Sequence, residues 1–559
     1  MRRARRRAAP CGPRPLILSE PSSLFLPVES SVIVPSEPSA GRRTEPLGRT
    51  AARGAAVTMT GQLARIVLQF GSVVVLARLI APAEFGLFTM VMAVVGVSEI
   101  VRDFGLSNAA IQARELSTAQ RDQLFWVNTA LGTALAALAV ASAPLVALVF
   151  GRPELAPLVV GVAATFALNG AQTQHRANLN RELRFTALTV IDVAAPLVGI
   201  VVAIVVALAG GGAWALVAQT VAVAAAGLVL VVPVGGWLPG RPRRGVPLGG
   251  FYRFGWNLVA TQLINYVAKN ADNIVIGIRL GPAQLGLYSR AFQLLMNPLQ
   301  QVRAPFSRVA IPVLSRLQDD RARFDDYLVR AQIVMGYTIV PALAFVGGAS
   351  VPLVTVLLGA AWLESAPVLT FFAIAGAFST LAYVAYWAFV TQGLTGPLLR
   401  FTLVTAALKI VCVLAGLPWG IVGVAAGYAV EPLLSWPLAI WWLSRSAPTP
   451  VARLTAGAGR LGAIAVAAGA AAWGATIALA DASAWLQIPA AALSTAVVYL
   501  VAAIVPVVRR DLSELVTVVR LVFLSGRGRG RGMATERTSL GREPGHDQEP
   551  GHDQEHGAR

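Results

Sequence analysis

The chain has 559 residues, 56% of them apolar and 13% charged, with a mean hydropathy of +0.65. Soluble domains carry roughly 45–50% apolar and 25% charged residues, so a soluble globular protein is excluded. The formal net charge of +18 is split between an Arg-rich start and short loops between apolar runs, which reads as membrane topology and not as nucleic-acid binding.

Of the 46 basic residues only Lys269 and Lys409 are lysine, which with the high Ala, Gly and Pro content suits a GC-rich bacterial genome. The two cysteines, Cys11 and Cys412, fall in no metal-ligand spacing and are not expected to meet. Residues 1–56 are rich in Arg, Pro and Ser and lack an apolar region long enough for a cleaved signal peptide. They are expected to form a disordered extension, and Met59 leaves a downstream start site open.

Fourteen apolar segments follow, at about 57–80, 86–107, 124–149, 155–175, 186–209, 213–235, 251–277, 285–311, 330–358, 365–391, 397–417, 420–443, 460–481 and 485–508. Each is long enough to cross a hydrocarbon core of about 30 Å as a helix, and an open sheet would leave backbone groups unpaired in lipid. The spacing therefore predicts an all-α polytopic membrane protein of about 14 transmembrane helices.

Arginine placement tests the count. Loops after even-numbered segments carry Arg114, Arg121, Arg176, Arg181, Arg184, Arg241, Arg243, Arg244, Arg316, Arg321, Arg323, Arg400, Arg445, Arg453 and Arg460. Loops after odd-numbered segments hold only Arg78, Arg152 and Arg279. The bias places both termini in the cytoplasm and supports an even number of spans.

A repeat is visible at the level of the chain. Arg78-Leu79-Ile80-Ala81-Pro82-Ala83-Glu84-Phe85-Gly86-Leu87-Phe88 recurs, with one deletion, as Arg279-Leu280-Gly281-Pro282-Ala283-Gln284-Leu285-Gly286-Leu287-Tyr288. Weaker matches join Ala156-Pro157-Leu158 to Ala366-Pro367-Val368, and Gly212–Val217 to Gly420–Ala425. The copies lie six segments apart, so the halves share one orientation, as in parallel-repeat transporters. The expected division is an N-lobe at 57–245, a C-lobe at 246–445, two further helices at 446–508 and a low-complexity cytoplasmic tail at 509–559. The tail holds an Arg-Gly run, a doubled Glu-Pro-Gly-His-Asp-Gln, and His546, His552 and His556, for which an ordered metal site is disfavoured.

Ionisable groups inside a span cost around 2.5–3.5 kcal/mol each and face protein or water. In the first segment Thr58, Gln62, Arg65, Gln69 and Ser72 step by three and four along one helix face. Segment 7 carries Asn257, Thr261, Asn265, Lys269, Asp272 and Asn273, and segment 8 carries Arg290, Gln293, Asn297 and Gln300. Segment 11 adds Thr402, Thr405 and Lys409. Two lobes facing across a polar cavity satisfy these faces. Several cations there suit an anion such as a pyrophosphate, since guanidinium groups bind phosphate in a bidentate manner.

Against this stands structural pairing, of which Lys269 with Asp272 at i,i+3 is the plainest case. Asp192, Asp272 and Glu431, with Glu99 as a fourth, are candidates for proton or sodium coupling, or simply neutralise a neighbouring Arg. Tyr383, Tyr386 and Trp387 suit sugar stacking or interfacial anchoring. No Walker motif, Asp-x-Asp or His-Glu-x-x-His site is present, which disfavours an enzyme.

The chain resembles the polysaccharide and O-antigen flippases of the MOP superfamily, in the branch of colanic acid and lipopolysaccharide exporters. The resemblance spans roughly 57–445 and rests on Ala77–Gly86, on Asp103-Phe104-Gly105-Leu106-Ser107-Asn108, on Asn270-Ala271-Asp272-Asn273-Ile274-Val275, on Gly286–Ala291 and on Pro312–Asp320. It implies a bacterial inner-membrane carrier that moves undecaprenyl-pyrophosphate-linked oligosaccharide to the outer leaflet by alternating access, with two six-helix lobes about a basic cavity. It also implies that segments 13 and 14 form a groove for the lipid tail. On this reading Arg65, Lys269, Arg290 and Lys409 hold the pyrophosphate, and Gln62, Gln69, Asn265, Asn273, Gln293 and Asn297 hydrate the sugars. No cofactor or metal is expected. Expected partners are lipid-linked oligosaccharide, membrane lipids, a polysaccharide polymerase and glycosyltransferases. A cation-coupled multidrug exporter, which should prefer an acidic cavity, and a membrane glycosyltransferase or polymerase are the alternatives.

Overall fold

The computed structural model describes residues 47–103, 116–242 and 249–515, and within these the side chains of 47–59, 100–103, 249–262, 264–265 and 267–269 lie outside the description. Most of the expected N-terminal extension, the C-terminal repeats with their histidines, and loop residues Arg114, Arg243 and Arg244 likewise fall outside the described residues.

Six long helices make the first half: α1 (Leu47–Leu79), α2 (Pro82–Asp103), α3 (Thr118–Phe150), α4 (Leu155–Arg181), α5 (Phe185–Leu208) and α6 (Ala213–Gly235). The helical stretch Gly249–Arg316 is broken at Gly281 (φ 85°, ψ 178°) into α7 (249–280) and α8 (282–316). Then come α9 (Arg321–Gly348), the short α10 (Ser350–Leu357), α11 (Ala366–Thr391), α12 (Thr395–Gly416), α13 (Gly420–Ser446), α14 (Val451–Ala478) and α15 (Ala484–Ala502). Among the described residues eleven stretches are long and apolar enough to cross a membrane, one of them, Thr395–Ser446, holding both α12 and α13. With α7 and α8 added, the fourteen expected segments each have a helix.

Several boundaries differ from expectation. Helix α1 begins at Leu47, ten residues before the first apolar segment, because Leu47–Ala56 contains no proline and six of its ten residues are alanine or arginine, both good helix formers. Segment 9 divides at Ala349 into α9 and α10. Helix continues over 506–515, past the expected start of the tail, where Arg460 pairs with Asp511 at 2.9 Å and Arg330 with Glu514 at 3.3 Å.

Helix ends are chemically marked. Ser117 and Gln120 form a reciprocal capping box at the start of α3, and Gly151 closes that helix in the left-handed region at φ 64°. At the end of α4 the corresponding left-handed position is held by Leu183 (φ 57°), whereas its counterpart after α11 is Gly393 (φ 68°). Both turns place a backbone hydrogen bond of 2.9 Å back to the helix, Arg184 to Leu179 and Leu394 to Phe389.

The two halves are built alike. In the first, α3 packs on α4, α4 on α6 and α5 on α6; in the second, α9 packs on α11, α11 on α13 and α12 on α13. Lipid tails are as apolar as these side chains, so close backbone approach, not the hydrophobic effect, holds such helices together. A Cβ on Gly132 of α3 would lie 2.4 Å from the Phe166 carbonyl of α4, and one on Gly170 would lie 2.6 Å from that of Asn128. Helix α14 rests on α9 in the same way, a Cβ at Gly348 meeting the Gly469 carbonyl at 2.4 Å, and α15 packs on α14.

The halves meet where α2 of the first packs along the α7–α8 unit of the second. The contact is reciprocal: a Cβ on Gly86 would stand 1.7 Å from the Pro282 carbonyl, and one on Gly286 would stand 1.8 Å from the Pro82 carbonyl. One turn further, the hydroxyls of Thr89 and Ser289 are 3.2 Å apart. This contact sits at the starts of α2 and α8, the end opposite the arginine-rich loops.

Candidate functional site

Burial along one face of α1 changes with depth. Gln62, Arg65 and Gln69 are exposed, while Ser72, Val73, Leu76 and Ala77, further along the same face, are buried. The polar stripe is therefore uncovered in the half of the helix near the arginine-rich loops and covered towards the Gly86–Gly286 contact. On α8 the same gradient runs from buried Arg290, through half-buried Gln293 and Asn297, to exposed Gln300. Both faces are uncovered at the same end, and there Gln62 donates to Gln301 at 3.0 Å.

Arg290 lies at the covered end. Its guanidinium stands 3.4 Å from the centre of the Phe85 ring on α2, and Nη1 donates to Gln293 Oε1 at 3.0 Å. Phe85 in turn meets Trp362 edge-on at 5.4 Å, and Trp362 Nε1 donates to the Ala77 carbonyl of α1 at 2.7 Å. Arg78 donates to the Val356 carbonyl beside it. Tyr266 of α7 adds a third tie between the lobes, donating to the Met92 carbonyl at 2.6 Å.

Of the segment 7 residues, Asp272 is buried and accepts from Tyr288 Oη at 2.8 Å and from the Asn273 backbone at 3.0 Å. Asn273 donates from its side chain to Asn270 at 3.2 Å. The side chains of Asn265 and Lys269, and with them the Lys269–Asp272 pair, lie outside the described residues. Asp272 and Lys409 line one small cleft between α7 and α12. Lys409 Nζ sits 4.4 Å over the Tyr428 ring, within electrostatic reach of Glu431, which hydrogen-bonds Ser435. The structure therefore brings Asp272, Lys409 and Glu431 into one region of the second lobe, apart from Arg65.

Asp192 is elsewhere. It pairs with Arg176 across α4 and α5, both about a third exposed. Glu99 accepts from Asn169 at 3.1 Å.

Arg303, three residues beyond Gln300, is not singled out by the sequence reading. It is 3% exposed, and its Nη2 donates to the Gly376 carbonyl at 2.7 Å, to Ser379 Oγ at 2.8 Å and to Thr380 Oγ1 at 2.6 Å. Three neutral acceptors on α11 thus hold one cation of α8. Arg303→Met is expected to destabilise the folded chain by about 1–3 kcal/mol, because three polar acceptors lose a charged donor. A thermal shift in detergent measures this, and an unchanged melting temperature would contradict it. A sequence signal for the Gly86–Gly286 contact is present: Thr89 and Ser289 occupy matching places in the repeat.

A family model described as "Polysaccharide biosynthesis protein" matches residues 75–367. The chain is 28% identical over 308 residues to the lipopolysaccharide biosynthesis protein WzxC of Escherichia coli, an alignment covering 54% of this chain and 62% of that protein. It is 27% identical over 331 residues to the succinoglycan biosynthesis transport protein ExoT of Rhizobium meliloti, covering 58% and 66%. The chain thus spans a little under two thirds of the length of these two relatives. Among solved structures, the lipid II flippase MurJ in an inward closed conformation aligns with a TM-score of 0.61 at 15% identity, over 82% of this chain and 99% of that one. An inward-facing multidrug resistance MATE transporter of the MOP superfamily aligns with a TM-score of 0.52 at 12% identity, over 72% and 99%. At these identities the two structures speak for the fold.

Proposed function

This chain belongs to the polysaccharide biosynthesis protein family, and from that premise we propose that it is a flippase for undecaprenyl-pyrophosphate-linked oligosaccharide. The observation that carries the reading is the graded polar face shared by α1 and α8, uncovered at the arginine-rich end and sealed at Gly86 and Gly286. With the arginine-rich loops and both termini in the cytoplasm, the passage is open to the cytoplasmic leaflet. The lobes then rock to expose it to the outer leaflet. The relatives named for lipopolysaccharide biosynthesis and for succinoglycan biosynthesis transport support this class of substrate, and the name of the second supports transport.

Depth gives the passage an order. At 1.5 Å per residue Arg65 lies about 21 Å along α1 from its outer end, and Arg290 lies about 12 Å along α8 from its own. A pyrophosphate entering from the cytoplasm meets the exposed Arg65 first and the buried Arg290 second. Asp272, buried beside Lys409, is the group we assign to coupling with a proton or sodium gradient. Apolar faces on α14 and α15, with Trp473, Trp485 and Leu493 exposed, suit the polyprenyl tail.

The test is the sidedness of lipid-linked oligosaccharide in a deletion strain, read with a membrane-impermeant glycan-modifying reagent. Wild type is expected to restore labelling of outer-leaflet repeat units, and Arg65→Ala to slow it at least tenfold at equal expression. Normal sidedness with altered chain length would move the function to polymerisation. An absent glycan phenotype with altered drug tolerance would move it to multidrug export.

A further inference from the structure

Arg290 is more costly than its place in the fold requires. The side chain is 6% exposed, its Nε has no hydrogen-bond partner, and no carboxylate pairs with it among the described residues. One amide and one ring face are weak compensation for a buried cation. Packing does not ask for arginine, because the repeat places Met90 at the matching position of α2, where it is fully buried. The ring it covers is also informative. Phe85 belongs to the first lobe, immediately before Gly86, and is held between Trp362 and Arg290, both from the second lobe.

We propose that Arg290 couples occupation of the passage to the state of its outer end. With no anion bound, the guanidinium stacks on Phe85 and holds the lobes together at the Gly86–Gly286 contact. A diphosphate in the passage takes the guanidinium through bidentate charge-assisted hydrogen bonds, draws it off the ring and releases that contact. A ligand shifts a two-state equilibrium only through its different affinity for the two states. Here the difference arises because the stacked guanidinium is buried and spends Nη1 on Gln293, so a phosphate in the uncovered part of the passage engages it fully only once it has left the ring, and the charge-assisted bond is the stronger of the two. The identity of the anion rests on the flippase reading, whereas the coupling is measurable without transport.

The hydroxyls of Thr89 and Ser289, 3.2 Å apart, supply the reporter. The pair Thr89→Cys with Ser289→Cys, in a chain carrying Cys11→Ser and Cys412→Ala, is reconstituted in phosphatidylcholine vesicles and oxidised with or without undecaprenyl pyrophosphate. The pyrophosphate is expected to slow cross-linking at least fivefold, and undecaprenol to have no effect. With Arg290→Met added, cross-linking should proceed at the unliganded rate whether or not pyrophosphate is present. Phe85→Leu, which keeps the cation and removes the ring, should slow cross-linking without ligand and still retain pyrophosphate. Equal slowing in the Arg290 and Arg290→Met chains, or none in either, would overturn the coupling. If cross-linking behaves as expected while outer-leaflet labelling is unaffected by deleting the protein, the flippase reading falls and the coupling stands.

Discussion

Gly86→Ala and Gly286→Ala are each expected to cut export by about fivefold to a hundredfold in a chain that still folds and inserts. The added methyl meets a backbone carbonyl, which cannot rotate away as a side chain can. At Gly86 the two helices must part by about 1.3 Å merely to bring the 1.7 Å approach back to 3.0 Å. Overpacking of this kind costs about 1–3 kcal/mol, and every 1.4 kcal/mol is about tenfold in an equilibrium. The cost falls on the state closed at this end and not on the state in which the lobes have parted, so it biases the cycle instead of unfolding the protein. Gly71→Ala is the control, since nothing lies within 4 Å of a Cβ there; its export should equal wild type. Outer-leaflet labelling normalised to membrane expression measures all three, and wild-type export from both gate variants would remove the contact from the transport cycle.

Asp272→Asn is expected to abolish the response of export to an ion gradient while leaving thermal stability within about 1 kcal/mol of wild type. The amide oxygen can still accept from Tyr288, so the bond at 2.8 Å has a successor, but the side chain can no longer carry a negative charge. Asp272→Leu is different, because it leaves the Tyr288 hydroxyl buried without an acceptor, at a cost of about 1–3 kcal/mol. Tyr288→Phe keeps the carboxylate and should keep the gradient response. Proteoliposomes with imposed proton or sodium gradients separate these outcomes. Gradient-driven export at the wild-type rate in Asp272→Asn would make Asp272 a structural anchor only.

The helix count was legible because each span is an apolar run of membrane length, and that signal needs no partner. Helix ends were less so: Leu47–Ala56 continues α1 through sequence with no sustained apolar run, and α9 breaks at Ala349 inside an apolar run. The stripe on α1 was legible because Gln62, Arg65 and Gln69 repeat with the helix period. What it faces was not, since burial on that stripe depends on where the other lobe closes. Arg290 was visible as a cation, yet its ring partner Phe85 is some 200 positions away, and only the repeat hints that they meet. Asp192 was read as a coupling candidate, and the fold sets it against Arg176 of the neighbouring helix. Arg303 extends the α8 spacing beyond Gln300, but nothing in the sequence names its acceptors, which are two hydroxyls and a carbonyl that any helix could offer.

The seal made by Gly86 and Gly286 has the form of an isologous interface, of the kind found between identical subunits. Each six-helix unit presents both the glycine that is approached and the proline carbonyl that approaches it. A unit so built is complementary to a copy of itself, so the closed state demands no surface that one half does not already encode. The positions that hold backbone against backbone have stayed alike, Pro82 with Pro282 and Gly86 with Gly286, while Phe85 against Leu285 and Met90 against Arg290 have diverged. Symmetry supplies the contact, and the departures from symmetry place one buried cation, Arg290, on one side of its axis.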